Sequence, residues 1–292
     1  MSPVAYSARN IDLIDPSREA IFFEKGRPPS EAALCAEMAR LAYCRPAGRQ
    51  YAFDQTRVNE ALSKVGFAKG RFFEHAGTHC FLAVQEEAGK QLAVLAFRGT
   101  DSGNPKNLMD DADFIPKDWG KGGKVHSGFA HALDDVRNNT KLDDALNSIT
   151  GHLLFTGHSL GAALATLMAS VRRPAALYTF GSPKIGDAAF VATVSEVTNY
   201  RYVDCTDLIT RVPLKIMGFE HVGKPHYIQS DRSVSFGPSE KFIARDRLRA
   251  AVKYSLGYAW RPGNVCFREL ADHTPVNYVS AVTAAPDPSK QG

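Results

Sequence analysis

Along this chain, short unbroken apolar runs alternate with longer segments of helical period. The sharpest junction is L-L-F-T-G-H-S-L-G-A-A-L-A at residues 153–165. Leu153, Leu154 and Phe155 suit a strand covered on both faces, Ala162, Ala163, Leu164, Ala165, Leu167 and Met168 suit a small-residue helix, and Gly157-His158-Ser159-Leu160-Gly161 is the bend between them. Upstream, Ser30 caps a helix predicted over 31–42 that stops at Arg45-Pro46, and a short helix over 56–65 closes at Gly66. Residues 79–84 and 91–98 read as strands joined by a polar loop containing Gly89, an antiparallel pair. Residues 127–149 have helical period with an interruption near Asn138-Asn139-Thr140. After the bend, the pattern predicts a helix ending at Arg172-Arg173-Pro174, a strand over 176–180, a helix over 186–197 and a strand over 200–203. Strand, helix, strand, helix, strand implies an α/β fold: a central, mostly parallel sheet with helices on both faces.

The flanks are less regular. Residues 1–30, with Pro3, Pro16, Gly26, Pro28 and Pro29 among mixed charges, suit an extended N-terminal arm, and 101–123 is a lid-like loop without long period. Residues 230–263 read as an insertion, within which 240–254 is a basic amphipathic helix read first as a solvated surface helix. A closing helix over 274–284 begins beside His273. Apolar residues make up 44% of 292, enough to bury one large core, so the chain is read as a single domain over 1–292.

Composition narrows the function classes. A net charge of +4 is mild and gives no nucleic-acid signature. Cys35, Cys44, Cys80, Cys205 and Cys266 are odd in number, scattered and without a C-x-x-C pair, which reads as buried small hydrophobes rather than a disulfide frame or a zinc site. No basic n-region with an apolar run opens the chain and no segment suits a membrane span; this fits a reducing interior or an unconventional export route. Oligomeric state is open.

G-x-S-x-G at a strand-to-helix bend is the pattern of a nucleophile elbow, in which small residues let strand and helix close around a strained serine, here Ser159. A serine hydroxyl is a weak nucleophile and needs a histidine base, an orienting carboxylate and oxyanion donors. In α/β-hydrolases the acid and then the histidine follow the serine. Of nine histidines, six precede or adjoin Ser159, and His158 is expected to point away from the site. His273, in a loop before the closing helix, is the first choice for the base; His221 and His226, flanking Gly223 and Pro225 in a turn, are read as structural or substrate-proximal, with His221 the better reserve. Asp207 and Asp204 both lie just past a strand and are the candidate acids, whereas Asp187 is read as a helix cap.

Five motifs in order, Ala96-Phe97-Arg98-Gly99-Thr100, Val125-His126-Ser127-Gly128-Phe129, Gly157-His158-Ser159-Leu160-Gly161, Thr179-Phe180-Gly181-Ser182-Pro183-Lys184-Ile185-Gly186-Asp187 and Asp207-Leu208-Ile209-Thr210-Arg211-Val212-Pro213, resemble the class 3 lipases, the fungal-type family within the α/β-hydrolase fold. The resemblance implies Ser159 as nucleophile, Asp207 as acid, His273 as base, and oxyanion N–H groups from Thr100 and Leu160, with Arg98 structural. It implies an ester or lipid substrate, an interface as the working place, location outside the cell, and no metal or cofactor. Family lids carry a tryptophan in an amphipathic helix, whereas residues 101–114 read D-S-G-N-P-K-N-L-M-D-D-A-D-F with Leu108 and Met109 as the apolar pair at the centre. That polarity shifts weight from oil interfaces toward soluble short or medium esters. The alternatives are phospholipase A1 or acyltransferase chemistry on the same residues, and a catalytically silent lipid- or partner-binding module. A nucleotide-binding turn is disfavoured because no Lys-[Ser/Thr] follows the bend.

Overall fold

The computed structural model describes residues 6–18, 22–46, 52–100 and 115–290. Its strands are β1 (Arg71–His75), β2 (Thr78–Glu87), β3 (Lys90–Phe97), β4 (Pro116–Asp118), β5 (Lys124–His126), β6 (His152–His158), β7 (Ala176–Phe180), β8 (Asn199–Asp204), β9 (Pro225–Ile228) and β10 (Val234–Phe236). The helices are α1 (Asn10–Ile14), α2 (Glu31–Leu41), α3 (Gln55–Ser63), α4 (Ser127–Asn139), α5 (Leu142–Asn147), α6 (Leu160–Val171), α7 (Ala188–Thr193), α8 (Glu240–Gly257), α9 (Arg268–Ala271) and α10 (Pro275–Ala284).

Eight strands form one sheet in the order β1-β2-β3-β6-β7-β8-β9-β10. The five from β3 to β9 run parallel, and β1, β2 and β10 are antiparallel to their neighbours. Side chains alternate across a strand, and the alternation sorts the core. Val94, Ala96, Leu154, Tyr178 and Tyr202 pack with α2, α3 and α10 on one face. Leu95, Phe97, Leu153, Phe155 and Leu177 pack with α4, α5 and α6 on the other. Because β6 is covered on both faces, it is buried without alternation from Leu153 to His158, with an unbroken apolar run at Leu153, Leu154 and Phe155.

Most predicted elements are present, and the differences have local causes. β1, β9 and β10 escape the sequence reading because strands of three to five residues carry little pattern; β9 begins on a proline, which the first position of a strand tolerates. Helix α7 is shorter than 186–197, since the Asp187 carboxylate accepts from Phe190 N at 2.8 Å and starts it late.

The described part of the N-terminal arm is not merely extended. It holds α1 and 3-10 turns at Pro16–Arg18 and Phe22–Lys25, with Phe23 in the core. Ser7 N donates to Asn277 Oδ1 at 2.8 Å and Asn277 Nδ2 donates to Ser7 O at 2.7 Å, fastening the arm to α10 as a strand partner would. Of the lid-like stretch, 101–114 lies outside the described residues, and 115–123 leads into the β4–β5 hairpin rather than continuing as loop. Four cysteines are buried thiols as read, but Cys266 is exposed. Residues 230–263 carry β10 and α8, and α8 rests against Val203, Cys205 and Tyr227 at the carboxyl end of β8.

Candidate active site

β6 ends at His158 and α6 begins at Leu160, so Ser159 alone makes the bend, at φ 58° and ψ −127°. A non-glycine residue there is strained, and close packing on both sides holds it. A Cβ on Gly157 would sit 2.2 Å from Gly161 O, and one on Gly161 would sit 2.3 Å from Phe97 O. Both glycines are therefore required by the approach of β6, α6 and the end of β3. Ser159 N donates to Phe180 O at 2.9 Å, pinning the bend to β7.

Ser159 Oγ lies 2.9 Å from His273 Nε2, and His273 Nδ1 lies 2.9 and 3.0 Å from the two oxygens of Asp207. An acceptor-only carboxylate at Nδ1 fixes the tautomer: Nδ1–H donates to Asp207, and the Nε2 lone pair faces the serine hydroxyl. Asp207 is fully buried, and it also accepts from Ile209 N at 2.9 Å and from Tyr278 Oη at 2.6 Å. The loop bearing it is anchored by Lys184, whose Nζ donates to Arg211 O at 2.9 Å and Pro213 O at 2.7 Å.

The reserves stand elsewhere. The His221 ring is tied through Nε2 to Thr210 O at 2.8 Å, and burial, with Arg201 nearby, holds its pKa well below the usual value. His226 packs among Tyr200, Tyr202 and Phe236, and burial lowers its pKa to about 4. Asp204 accepts from Arg232 Nη1 at 2.6 Å and from Cys205 N at 2.7 Å. The expectation that His158 points away from the site fails. Its ring centre is 4.6 Å from that of His273, and its Nδ1 is 2.9 Å from Tyr43 Oη. Desolvation, then the nearby charge of His273, hold its pKa well below normal, so it stays neutral beside His273.

Leu160 is the first residue of α6, where the helix itself offers its N–H no acceptor and the helix end is partially positive. A Cβ on Gly99 would stand 2.0 Å from Tyr43 Oη and 2.7 Å from His158 O, so the chain leading into exposed Thr100 lies against the elbow. Arg98 is buried just before it.

Three contributors were not singled out from sequence. Tyr278 and Tyr43 carry no signal beyond that of a core aromatic. Gly181 lies inside the Thr179–Asp187 motif, which did flag it without a role: at φ 61°, its missing Cβ would fall 2.9 Å from Asp207 Oδ2 and 3.2 Å from the His273 ring. Among the described residues no group of three or more His, Cys, Asp or Glu is arranged to hold a metal ion.

The profile of the family described as Lipase (class 3) matches residues 94–217, a stretch running from β3 through the elbow to just past Asp207. Over that stretch the chain is similar to the class 3 lipases. It is 33% identical over 159 residues to the secreted mono- and diacylglycerol lipase A of Penicillium cyclopium, covering 50% of this chain and 51% of that protein. It is also 33% identical over 150 residues to a lipase of Rhizomucor miehei, over 46% of this chain and 41% of that one. The chain thus spans about half the length of the curated relatives it matches. Among solved structures, lipase II of Rhizopus niveus superposes with a TM-score of 0.55 at 26% identity, over 68% of this chain and 79% of that one. The Rhizomucor miehei triacylglyceride lipase gives 0.52 at 28%, over 68% and 77%. The architecture is the α/β-hydrolase fold of these enzymes, a mostly parallel sheet flanked by helices.

Proposed function

We propose that the protein is a serine ester hydrolase that cleaves lipid or other carboxylic esters through an acyl-enzyme. The observation that carries this reading is the unbroken chain Ser159 Oγ, His273, Asp207, each link at 2.9–3.0 Å. His273 Nε2 takes the Ser159 proton as Oγ attacks the ester carbonyl. Asp207 stabilises the imidazolium that forms, and the N–H groups of Leu160 and Thr100 receive the oxyanion, a contribution of roughly 10²–10³ in rate per donor in comparable sites. His273 then protonates the departing alcohol. A water activated by the same nitrogen releases the acid and restores the serine. No step calls on a metal or a cofactor.

Glycerides are the first substrates to try, since the names of the Penicillium and Rhizomucor relatives specify acylglycerols. Short and medium esters join them because 101–114 is so polar. Phospholipase A1 and acyltransferase activities share every step through the acyl-enzyme and differ in what enters and leaves. A silent binding module is disfavoured, because a complete set of nucleophile, base and acid has no role there. Hydrolysis of a p-nitrophenyl ester series decides: wild-type turnover that falls by on the order of 10⁶ in Ser159→Ala supports the reading. Absence of turnover, or turnover that survives the substitution, overturns it. Repeating the series above and below each ester's solubility limit tests the working place, with a jump at the limit marking an interface.

A further inference from the structure

Helix α8 lies outside the region shared with the family profile, which ends at residue 217. Its inner face is firmly held. Asp246 accepts from Ser230 N, Ser230 Oγ and Tyr227 Oη, Arg247 Nε donates to Cys205 O at 2.9 Å, and Ala250 and Tyr254 are buried. Its outer face is therefore presented in a fixed orientation, at the carboxyl end of β8, the same sheet edge from which Ser159 emerges after β6.

That outer face is unusual for a surface in water. Leu248, Val252 and Leu256 follow one another at four-residue spacing with 69%, 53% and 75% of their area exposed. Four residues further, Trp260 is 68% exposed, its indole N–H donating to Leu256 O at 2.8 Å, so it extends the apolar line past the helix end. Lys241, Arg245, Arg249 and Lys253, all exposed and also four apart, form a basic line alongside. Within the helix the acidic residues are Glu240 in the first turn and buried Asp246, so no carboxylate interrupts the two lines.

We infer that the outer face of α8 together with Trp260 is a docking site for an anionic lipid surface. The apolar line enters the boundary between headgroups and acyl chains, while the basic side chains extend along it and carry their charges to the lipid phosphates and carboxylates. Charge complementarity selects this occupant, because an exposed cationic row without carboxylates matches a negative surface. Shape selects it over an acidic protein: three large apolar side chains stand on the outer side of a helix and Trp260 continues them past its end, a ridge that a deformable lipid surface can envelop. The helix lies along that surface rather than crossing it, as no helix among the described residues is long and apolar enough to span a membrane. Docking brings the Ser159 edge of the sheet to the lipid without requiring any contribution from 101–114. The inference does not rest on the ester-hydrolase reading, because binding is read without turnover.

The test uses the full chain carrying Ser159→Ala, mixed with vesicles of phosphatidylcholine alone or containing about 30 mol % phosphatidylserine. Two readouts are taken, co-sedimentation and tryptophan emission. Trp119 is buried, so a blue shift reports Trp260. The expected result is binding with a blue shift on the anionic vesicles, weakened by salt. Each basic residue near such a surface contributes about fivefold, so neutralising three weakens partitioning on the order of 100-fold, and the reversal Arg245→Glu/Arg249→Glu/Lys253→Glu weakens it further. The milder triple change to Gln, checked by thermal melting, guards against misfolding, and Leu248→Ser/Leu256→Ser abolishes the shift. Neither set alters turnover of a soluble ester in the protein with Ser159 intact, if turnover exists. Equal binding to neutral and anionic vesicles, absence of binding, or binding unchanged by the variants overturns the inference. Capture by polyglutamate with the apolar variants binding as well as wild type would assign the face to an acidic protein instead.

Discussion

Gly181 is the sharpest place to ask whether the geometry of the serine, histidine and aspartate sets the rate. Gly181→Ala introduces two separable penalties. The first is conformational: an L-residue at φ 61° costs about 1–2 kcal/mol, which for a chain of this size lowers the melting temperature by roughly 2–4 °C per kcal/mol. The second is local, because the new methyl would stand 2.9 Å from Asp207 Oδ2 and 3.2 Å from His273 Cε1 and Nδ1. Relieving those contacts requires the Asp207–His273 pair to move by about 0.3–0.5 Å, and since a 1 Å misplacement can cost about 100-fold, kcat falls about tenfold. Gly77→Ala isolates the first penalty. Gly77 has φ 81° with nothing within 4 Å of its missing Cβ, so stability drops while kcat stays. The assay is p-nitrophenyl butyrate hydrolysis, with kcat and KM resolved, beside thermal melts of both variants. Full kcat in Gly181→Ala, or an equal loss in Gly77→Ala, would refute the argument that the methyl acts on the pair.

Three further outcomes are expected. His273→Ala abolishes ester turnover, whereas His221→Ala, which loses only a bond to Thr210 O and its packing, lowers stability and leaves kcat within a few fold; the reverse order would reassign the base. Asp272→Asn costs about 3–5 kcal/mol in urea unfolding, because it leaves the buried Arg268 without its carboxylate and puts an NH2 donor in place of one of the two oxygens, of which one accepts from Tyr6 Oη and the other from Thr206 N and Oγ1. A loss under about 1 kcal/mol would mean that the cluster relaxes freely. Burial lowers the folded pKa of His226 to about 4 and holds those of His158 and His221 well below the ordinary 6.5. The unfolded chain then gains protons below pH 6.5 that the folded chain refuses, so the melting temperature falls as pH drops from 6.5 toward 4. His226→Gln flattens that fall; a melting temperature that rises over the same window would contradict it.

How much of this was readable depended on whether a feature is local in sequence. The elbow was legible because its constraint spans five residues: Gly157 and Gly161 must be small where β6, α6 and β3 meet, and both are visible within G-H-S-L-G. The parallel core was legible because strands buried on both faces, such as β6 and β7, become unbroken apolar runs. The short strands β1, β9 and β10 lack that signature. Tyr278, Tyr43 and Gly181 gain their place beside the three residues through contacts across 71, 115 and 26 positions, which no local pattern encodes. His158 was misread for the same reason. Neighbouring side chains of a strand do face opposite ways, but the serine has left the strand, and the returning α10 and His273 bring a second ring to the His158 side.

The distance of 66 residues between Asp207 and His273 looks awkward in sequence and is resolved by how the intervening chain is used. Matched sequence ends at residue 217, so everything that delivers His273 lies outside it. The chain adds β9 and β10 to the sheet, then lays α8 back over Cys205, which returns it to the carboxyl end of β8 from which Asp207 departs. From there α9 places Asp272 where Thr206 N and Oγ1, Arg268 and Tyr6 all bind its carboxylate, one residue before the histidine. Asn277, one turn further on, fastens Ser7 of the N-terminal arm and also donates to Ala271 O at 2.8 Å. His273 is thus aligned by the α8 segment and an N-terminal one acting on both sides of it. Shortening residues 230–263 without preserving the α8–Cys205 contact therefore disrupts His273 before it disrupts the elbow, even though the elbow is the more strained of the two.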